Sequence, residues 1–171
     1  WHVRLASSAA PGAYAGSPVN TGVARYGAGR VLEFDGDGRR DLLAQGPGSP
    51  ATWFVHQSNG TGAFLTAINT GLTTATVPAP LVTDVDGDGL DDLVYTRDYL
   101  VHIRRNTGAG FGPELTTSVG TTINGGATLL PLLAGAGGAP DFDGDGRQDL
   151  LIMRGTLSLS GPPWYYEGFL S

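Results

Sequence analysis

One ten-residue pattern occurs three times, and it limits what the rest of the chain can be. It reads Glu33-Phe34-Asp35-Gly36-Asp37-Gly38-Arg39-Arg40-Asp41-Leu42, then Asp84-Val85-Asp86-Gly87-Asp88-Gly89-Leu90-Asp91-Asp92-Leu93, then Asp141-Phe142-Asp143-Gly144-Asp145-Gly146-Arg147-Gln148-Asp149-Leu150. Counting the first acid as position one, carboxylates stand at positions one, three, five and nine. With a backbone carbonyl at position seven, these oxygens can converge in one turn on a hard cation that takes six to eight oxygen ligands. Calcium meets that demand best. The candidate ligands are Glu33, Asp35, Asp37, the Arg39 carbonyl and Asp41; Asp84, Asp86, Asp88, the Leu90 carbonyl and Asp92; and Asp141, Asp143, Asp145, the Arg147 carbonyl and Asp149. Glycine at position six permits a sharp left-handed turn, and glycine at position four relieves crowding between ligand side chains.

The loop is not an EF-hand. That motif needs a bidentate glutamate at position twelve between two helices, and position twelve here is Ala44, Tyr95 or Ile152. The aspartate at position nine must therefore close the site. Short β-type runs follow each loop, Leu42-Leu43-Ala44, Leu93-Val94-Tyr95-Thr96 and Leu150-Leu151-Ile152-Met153, with no helical period. The reading is strand, calcium loop, strand.

Charge accounting favours a bound metal over acidic Asx-type turns that bind nothing. Of 16 acids, 12 sit at ligand positions, leaving Asp91, Asp98, Glu114 and Glu167 elsewhere. Carboxylates held together without a cation repel one another. Three Ca²⁺ ions would bring the formal charge of −6 to near neutrality.

The loops start at residues 33, 84 and 141, which is 51 and then 57 residues apart. Repeats of roughly 40 to 50 residues with β-type patterning are those of propellers, four strands to a blade. The longer interval has a visible source: Pro131-Leu132-Leu133-Ala134 matches Pro80-Leu81-Val82-Thr83, and Gly135 to Pro140 intrudes before the third loop. Later in each period, Thr52 to Phe64 parallels Leu100 to Phe111 as an alternating strand, a Gly-rich turn and an aromatic that opens another strand. Trp1 to Ala6 reads as the same half of an earlier unit, and Pro163-Trp164-Tyr165-Tyr166 as its start in the third.

The expected fold is thus all-β, with propeller blades of four antiparallel strands and a calcium loop between the first two strands of each. Residues 1–27 form the second half of a preceding blade, 28–76 and 77–125 two complete blades, and 126–171 the first part of a further one. About three blades cannot close a ring, since propellers have four to eight. A partial propeller, cut from something longer, or copies joining through open sheet edges are the two expectations. The chain begins at Trp1 without a charged leader, which also reads as processing or excision.

With 171 residues the chain can bury a sizeable core, and with no cysteine it has no disulfide staples, a task that metal clips would take over. No window offers the roughly 18 apolar residues of a membrane-spanning helix; Ala127 to Pro140 comes nearest and is broken by Pro131 and several glycines. Oxygen cages of this type suit the calcium concentration outside cells, so a secreted or cell-surface location is expected.

The string D-x-D-G-D-G-x-x-D-L, with Asn106-Thr107-Gly108-Ala109-Gly110-Phe111 downstream, resembles the FG-GAP/VCBS repeat family. That family includes calcium-binding blades of integrin α-subunit propellers, fungal lectin propellers and propellers of large secreted bacterial proteins. Arg30 to Leu43 with Trp53-Phe54-Val55 is similar more narrowly to repeats of SpvB-like proteins and the B component of Tc/RHS toxin complexes, where the propeller caps or docks a cocoon around a toxic payload. The resemblance implies the ligand sets named above. Glu33 departs from the usual aspartate, so its site is expected to bind more weakly or through water.

Other chemistry finds little support. Asp98, Glu114 and Glu167 show no local pairing for acid/base work, His2, His56 and His102 share no repeat position, and no nucleophile-elbow, phosphate-loop or metalloprotease motif is present. No enzymatic activity is expected. Trp1, Trp53, Trp164, Tyr165 and Tyr166 could stack on sugars, but their recurrence at one repeat position favours blade packing. Arg104-Arg105 could mark an anionic contact, though a pI near 4.8 argues against nucleic acid. Asn59-Gly60-Thr61 fits a hairpin turn as well as a glycosylation sequon. The leading expectation is a calcium-rigidified interaction module that meets other parts of a larger polypeptide or a protein partner; the alternative is a lectin-like propeller that binds glycans.

Overall fold

The computed structural model describes residues 1–5, 13–14, 16–77, 80–120, 128–129, 141–155 and 164–169. Its strands, in chain order, are β1 (His2–Val3), β2 (Val19–Asn20), β3 (Gly29–Leu32), β4 (Asp41–Gly48), β5 (Ala51–His56), β6 (Ile68–Thr73), β7 (Leu81–Thr83), β8 (Asp92–Arg97), β9 (Leu100–Asn106), β10 (Phe111–Gly120), β11 (Thr128–Leu129), β12 (Leu150–Gly155) and β13 (Trp164–Phe169). No helix occurs among the described residues, so none is long and apolar enough to cross a membrane.

The strands form two four-stranded antiparallel meanders, β3-β4-β5-β6 and β7-β8-β9-β10, a three-stranded sheet β11-β12-β13, and the pair β1-β2. These are propeller blades, and each acidic loop connects a blade's first strand to its second. Leu32 faces Asp41 and Thr83 faces Asp92 across the loop mouth, so the ninth loop position is also the first residue of the second strand. In the third sheet the first strand is β11, paired to Ile152 and Met153. The sequence places that strand at Pro131 to Ala134; those residues and the Gly135 to Pro140 insert lie outside the described residues.

In the two four-stranded blades the second strand is buried on both faces because it packs between neighbours. Asp41, Leu42, Leu43 and Ala44 are all buried, as are Asp92, Leu93, Val94 and Tyr95. β5 instead alternates: Ala51, Trp53 and Val55 are buried while Thr52, Phe54 and His56 are half-buried. The first face joins Leu32, Phe34, Leu43 and Leu72 to Leu93 and Tyr95 of the next blade in one core. A second core links Val94 and Val101 to Leu150 of the third sheet. Fully burying one such side chain is worth about 1.5–3 kcal/mol, so the blades are held chiefly by each other.

The Trp1 ring approaches the first full blade at Gly29, where a Cβ would stand 3.0 Å from the indole and 3.3 Å from the Leu42 side chain. At the end of β8 remote from the loop, Asp98 and Tyr99 both take positive φ, 50° and 64°, as a two-residue turn matching the strand twist requires.

Candidate metal centre

The loops are wound by their own carboxylates. Asp84 accepts the Gly87 N–H on Oδ1 at 2.8 Å and the Gly89 N–H on Oδ2 at 2.9 Å. Asp141 does the same with Gly144 at 2.6 Å and Gly146 at 2.9 Å. Glu33 reaches only Gly36, at 3.1 Å. At position seven the N–H groups of Arg39, Leu90 and Arg147 donate to the carboxylates at position five, Asp37, Asp88 and Asp145, at 2.7, 2.8 and 2.8 Å. Both glycines of each loop are left-handed, with φ between 77° and 89°. The glycine at position four is therefore needed for backbone conformation as well as for room. A Cβ on Gly87 would also stand 3.1 Å from Arg147 Cγ of the next loop.

The ninth position does more than supply a ligand. Asp41 receives the Phe34 N–H at 3.1 Å and the Ser58 N–H at 2.7 Å, one on each oxygen. Asp92 likewise receives Val85 at 3.0 Å and Asn106 at 2.7 Å, and Asp149 receives Phe142 at 2.7 Å. All three carboxylates are buried. Each ties its loop to the second strand, and Asp41 and Asp92 also tie it to the segment that follows the third or ends it.

Metal-competent oxygens converge in all three loops. Carboxylate oxygens of Glu33, Asp35 and Asp37, of Asp84, Asp86 and Asp92, and of Asp141, Asp143 and Asp149 lie within 4.8 Å of one another in each group. Asp41 stands outside the first trio and Asp88 and Asp145 outside the other two. Asp145 is drawn off by an ion pair with Arg147, whose Nε donates at 2.8 Å, and Asp37 is paired with Arg39 while remaining in its trio. These clusters could hold a metal ion, and one atom marks the second as suited to it. Asp86 Oδ1 is buried without a hydrogen-bond partner, an arrangement that a cation would relieve. Burial, and then the charges of Asp86 and Asp88, push Asp92 up to about 6 against the backbone hydrogen bonds from Asn106 and Val85 that oppose the rise. Burial also raises Asp41. Both rises come first from burial, with the neighbouring aspartates of the same loop adding to it.

A model of the FG-GAP-like repeat matches residues 34–95 and again residues 84–152. The chain belongs to the FG-GAP-like repeat family. Each match runs from one acidic loop through the next, so the FG-GAP unit spans the contact between two blades. No curated protein and no solved structure matches the chain.

Sequence reading missed the residues that join one FG-GAP loop to the next. Asp91, set aside there as outside the ligand set, accepts the Glu33 N–H at 2.6 Å and the Arg40 guanidinium at 2.9 Å. Gln148 accepts the Asp84 N–H at 2.9 Å and the Thr83 hydroxyl at 2.8 Å. Asn106 donates its amide to the carbonyls of Phe34 at 2.9 Å and Asp91 at 3.1 Å. The available signal was the acceptor side chain shared by Asp91 and Gln148 at position eight. Arg105 pairs with Asp86 at 3.3 Å and Arg104 donates to the Thr70 carbonyl at 3.2 Å, so both arginines have partners within the chain.

Glu114, without a partner in local sequence, has several across the strands. It accepts Tyr95 Oη at 2.5 Å and both Nη atoms of Arg97, and lies 3.2 Å from His102 Nδ1. Burial alone would raise its carboxyl, but the hydrogen bonds from Tyr95 and Arg97 hold it below the ordinary range. His102 is buried and stacked on Tyr95, and His56 meets Phe64 edge-on.

Proposed function

We propose that this FG-GAP chain is a calcium-binding structural and interaction module, a propeller segment of a large secreted or surface bacterial protein. The observation that carries it is the convergence of three carboxylates in every loop, with the orphaned Asp86 Oδ1 in the second. Calcium would be held by the trios together with the position-five or position-nine carboxylate outside each, and by the position-seven carbonyls of Arg39, Leu90 and Arg147. Its contribution would be mechanical: it ties the ends of two strands and neutralises a cluster that otherwise repels itself, so the loop face is presented in one shape. No catalytic role belongs to this reading. Calorimetric titration should give three calcium equivalents with magnesium binding far more weakly, because the small ion dehydrates reluctantly and demands octahedral geometry. Equal heats with the two ions, or none with calcium, would remove the proposal.

The most specific form of this reading is a component of a Tc/RHS-type toxin complex, resting on the resemblance of Arg30 to Leu43 and Trp53 to Val55. Reconstitution with a candidate cocoon partner, with and without calcium, tests it. Glycan binding remains the other class, and Trp53 is unavailable to it: the indole is fully buried and donates to the Val77 carbonyl at 2.9 Å. A glycan array would have to show sugar binding that survives changes at Trp53.

A further inference from the structure

Each of the second and third loops is clasped to its predecessor through its eighth residue. The Asp91 carboxylate receives the Glu33 N–H, and the Asp91 N–H donates back to the Glu33 carbonyl at 2.8 Å. Gln148 repeats both bonds on Asp84, each at 2.9 Å. A carboxylate and a carboxamide share only an acceptor oxygen, so the acceptor is what the clasp requires. In the first loop the position is held by Arg40, whose guanidinium carries donors alone.

Beside each clasp, the apolar residue at position two is covered by the following blade. Phe34 is fully buried, its ring 5.6 Å from that of Phe111. Val85 is half-buried against the core that holds Leu150. Phe142, at the same place in the third loop, is 56% exposed, and no described residue clasps Asp141.

We propose that the eighth loop position selects which blade can follow which, and that the Asp141–Phe142 face is a docking surface for a further FG-GAP-type blade carrying an acceptor side chain, Asp, Asn, Glu or Gln, at that position. The occupant follows from continuity, because two internal interfaces already make this contact with the same backbone groups. A second copy of this chain would present Arg40 there and leave the Asp141 N–H facing a donor, so docking of a second copy's first blade on the Asp141–Phe142 face is disfavoured. The inference rests on the blade architecture and not on bound calcium, and it can fail while the calcium reading stands.

The strand register shows how to build the test. Leu93 faces Arg104 and Leu150 faces Phe169; Asn106 and Ser171 follow those partners by two residues, so a copy of residues 107–171 appended after Ser171 continues the repeat in phase. The chain has no cysteine, so Phe142→Cys in the original repeat reports burial through its alkylation rate. With Gln at position eight of the appended loop, alkylation should slow by about tenfold or more relative to the unextended Phe142→Cys chain, the factor set by a local opening that costs about 1.4 kcal/mol. With Gln148→Arg in the appended copy it should stay near the unextended rate. Equal rates in the two arms would overturn the proposal. A second measurement needs no added repeat: in the unextended chain carrying Val85→Cys, Gln148→Arg should speed alkylation and Gln148→Glu should not, and identical behaviour of those two variants would overturn it as well.

Discussion

The Trp53 indole donates to the Val77 carbonyl at 2.9 Å, binding the largest buried side chain of the first full blade to the segment that leads into the second. One side chain thereby fills the interblade core and satisfies a backbone group of the linker. Trp53→Phe removes the bond and part of the volume, and should cost about 1–3 kcal/mol in urea unfolding, while Trp53→Ala should cost about 3–5 kcal/mol. A loss below about 0.5 kcal/mol for Trp53→Ala would mean that the blades are not held by this contact.

Asp92 and Asp88 occupy the same loop and should behave differently. Asp92→Ala orphans the N–H groups of Val85 and Asn106, at about 1–3 kcal/mol for each group left buried, so it should destabilise the protein even in chelator. Asp88 accepts an exposed N–H from Leu90. Its replacement by alanine should change stability in chelator by under about 0.5 kcal/mol and show itself only in calcium affinity. Equal destabilisation by the two variants in chelator would contradict the division of roles.

The first site should be the weakest. Asp84 and Asp141 each hold two loop glycines by hydrogen bonds, whereas Glu33 holds one, so the first loop is less preorganised around its longer side chain. Calcium titration should resolve a weaker class that tightens in Glu33→Asp. Identical affinity at all sites, unchanged by that substitution, would count against it.

Acid should weaken the effect of calcium through Asp92. In the calcium-free protein its carboxyl stands near 6, raised by burial above an unfolded value of about 3.9. The part of its contribution that depends on its proton is therefore fully present below about pH 4 and is lost as pH rises through about 6, while the hydrogen bonds from Val85 and Asn106 persist. Calcium needs the carboxylate and competes with the proton. The rise in Tm on adding calcium should thus shrink as pH falls through about 6. A calcium-induced shift that is constant from neutral pH to pH 5 would refute this assignment.

The strand order and the loop positions were legible because three acidic strings, each followed by a β-type run, repeat at propeller spacing. Left-handed glycines at position six could be read from the ligand geometry, since a turn that gathers oxygens has few backbone solutions. The clasp was not legible. Asp91 and Gln148 differ in charge, and their common function appears only when one loop is set beside the next. Asn106 was visible as part of a motif, but the carbonyls it serves lie on another blade. The partners of Glu114 were not legible because Tyr95, Arg97 and His102 come to it from other strands, a relationship set by register and not by sequence distance.

Thermal unfolding in millimolar calcium and in EGTA tests the central claim most directly. A ligand held only by the native state adds RT ln(1 + [L]/Kd), about 2.7 kcal/mol for each site at a hundredfold excess over Kd. The account expects Tm to rise with the logarithm of calcium concentration, and the increment to fall when the Asp84, Asp86 and Asp92 trio is broken by Asp86→Ala. The same Tm in calcium and EGTA at neutral pH would contradict it.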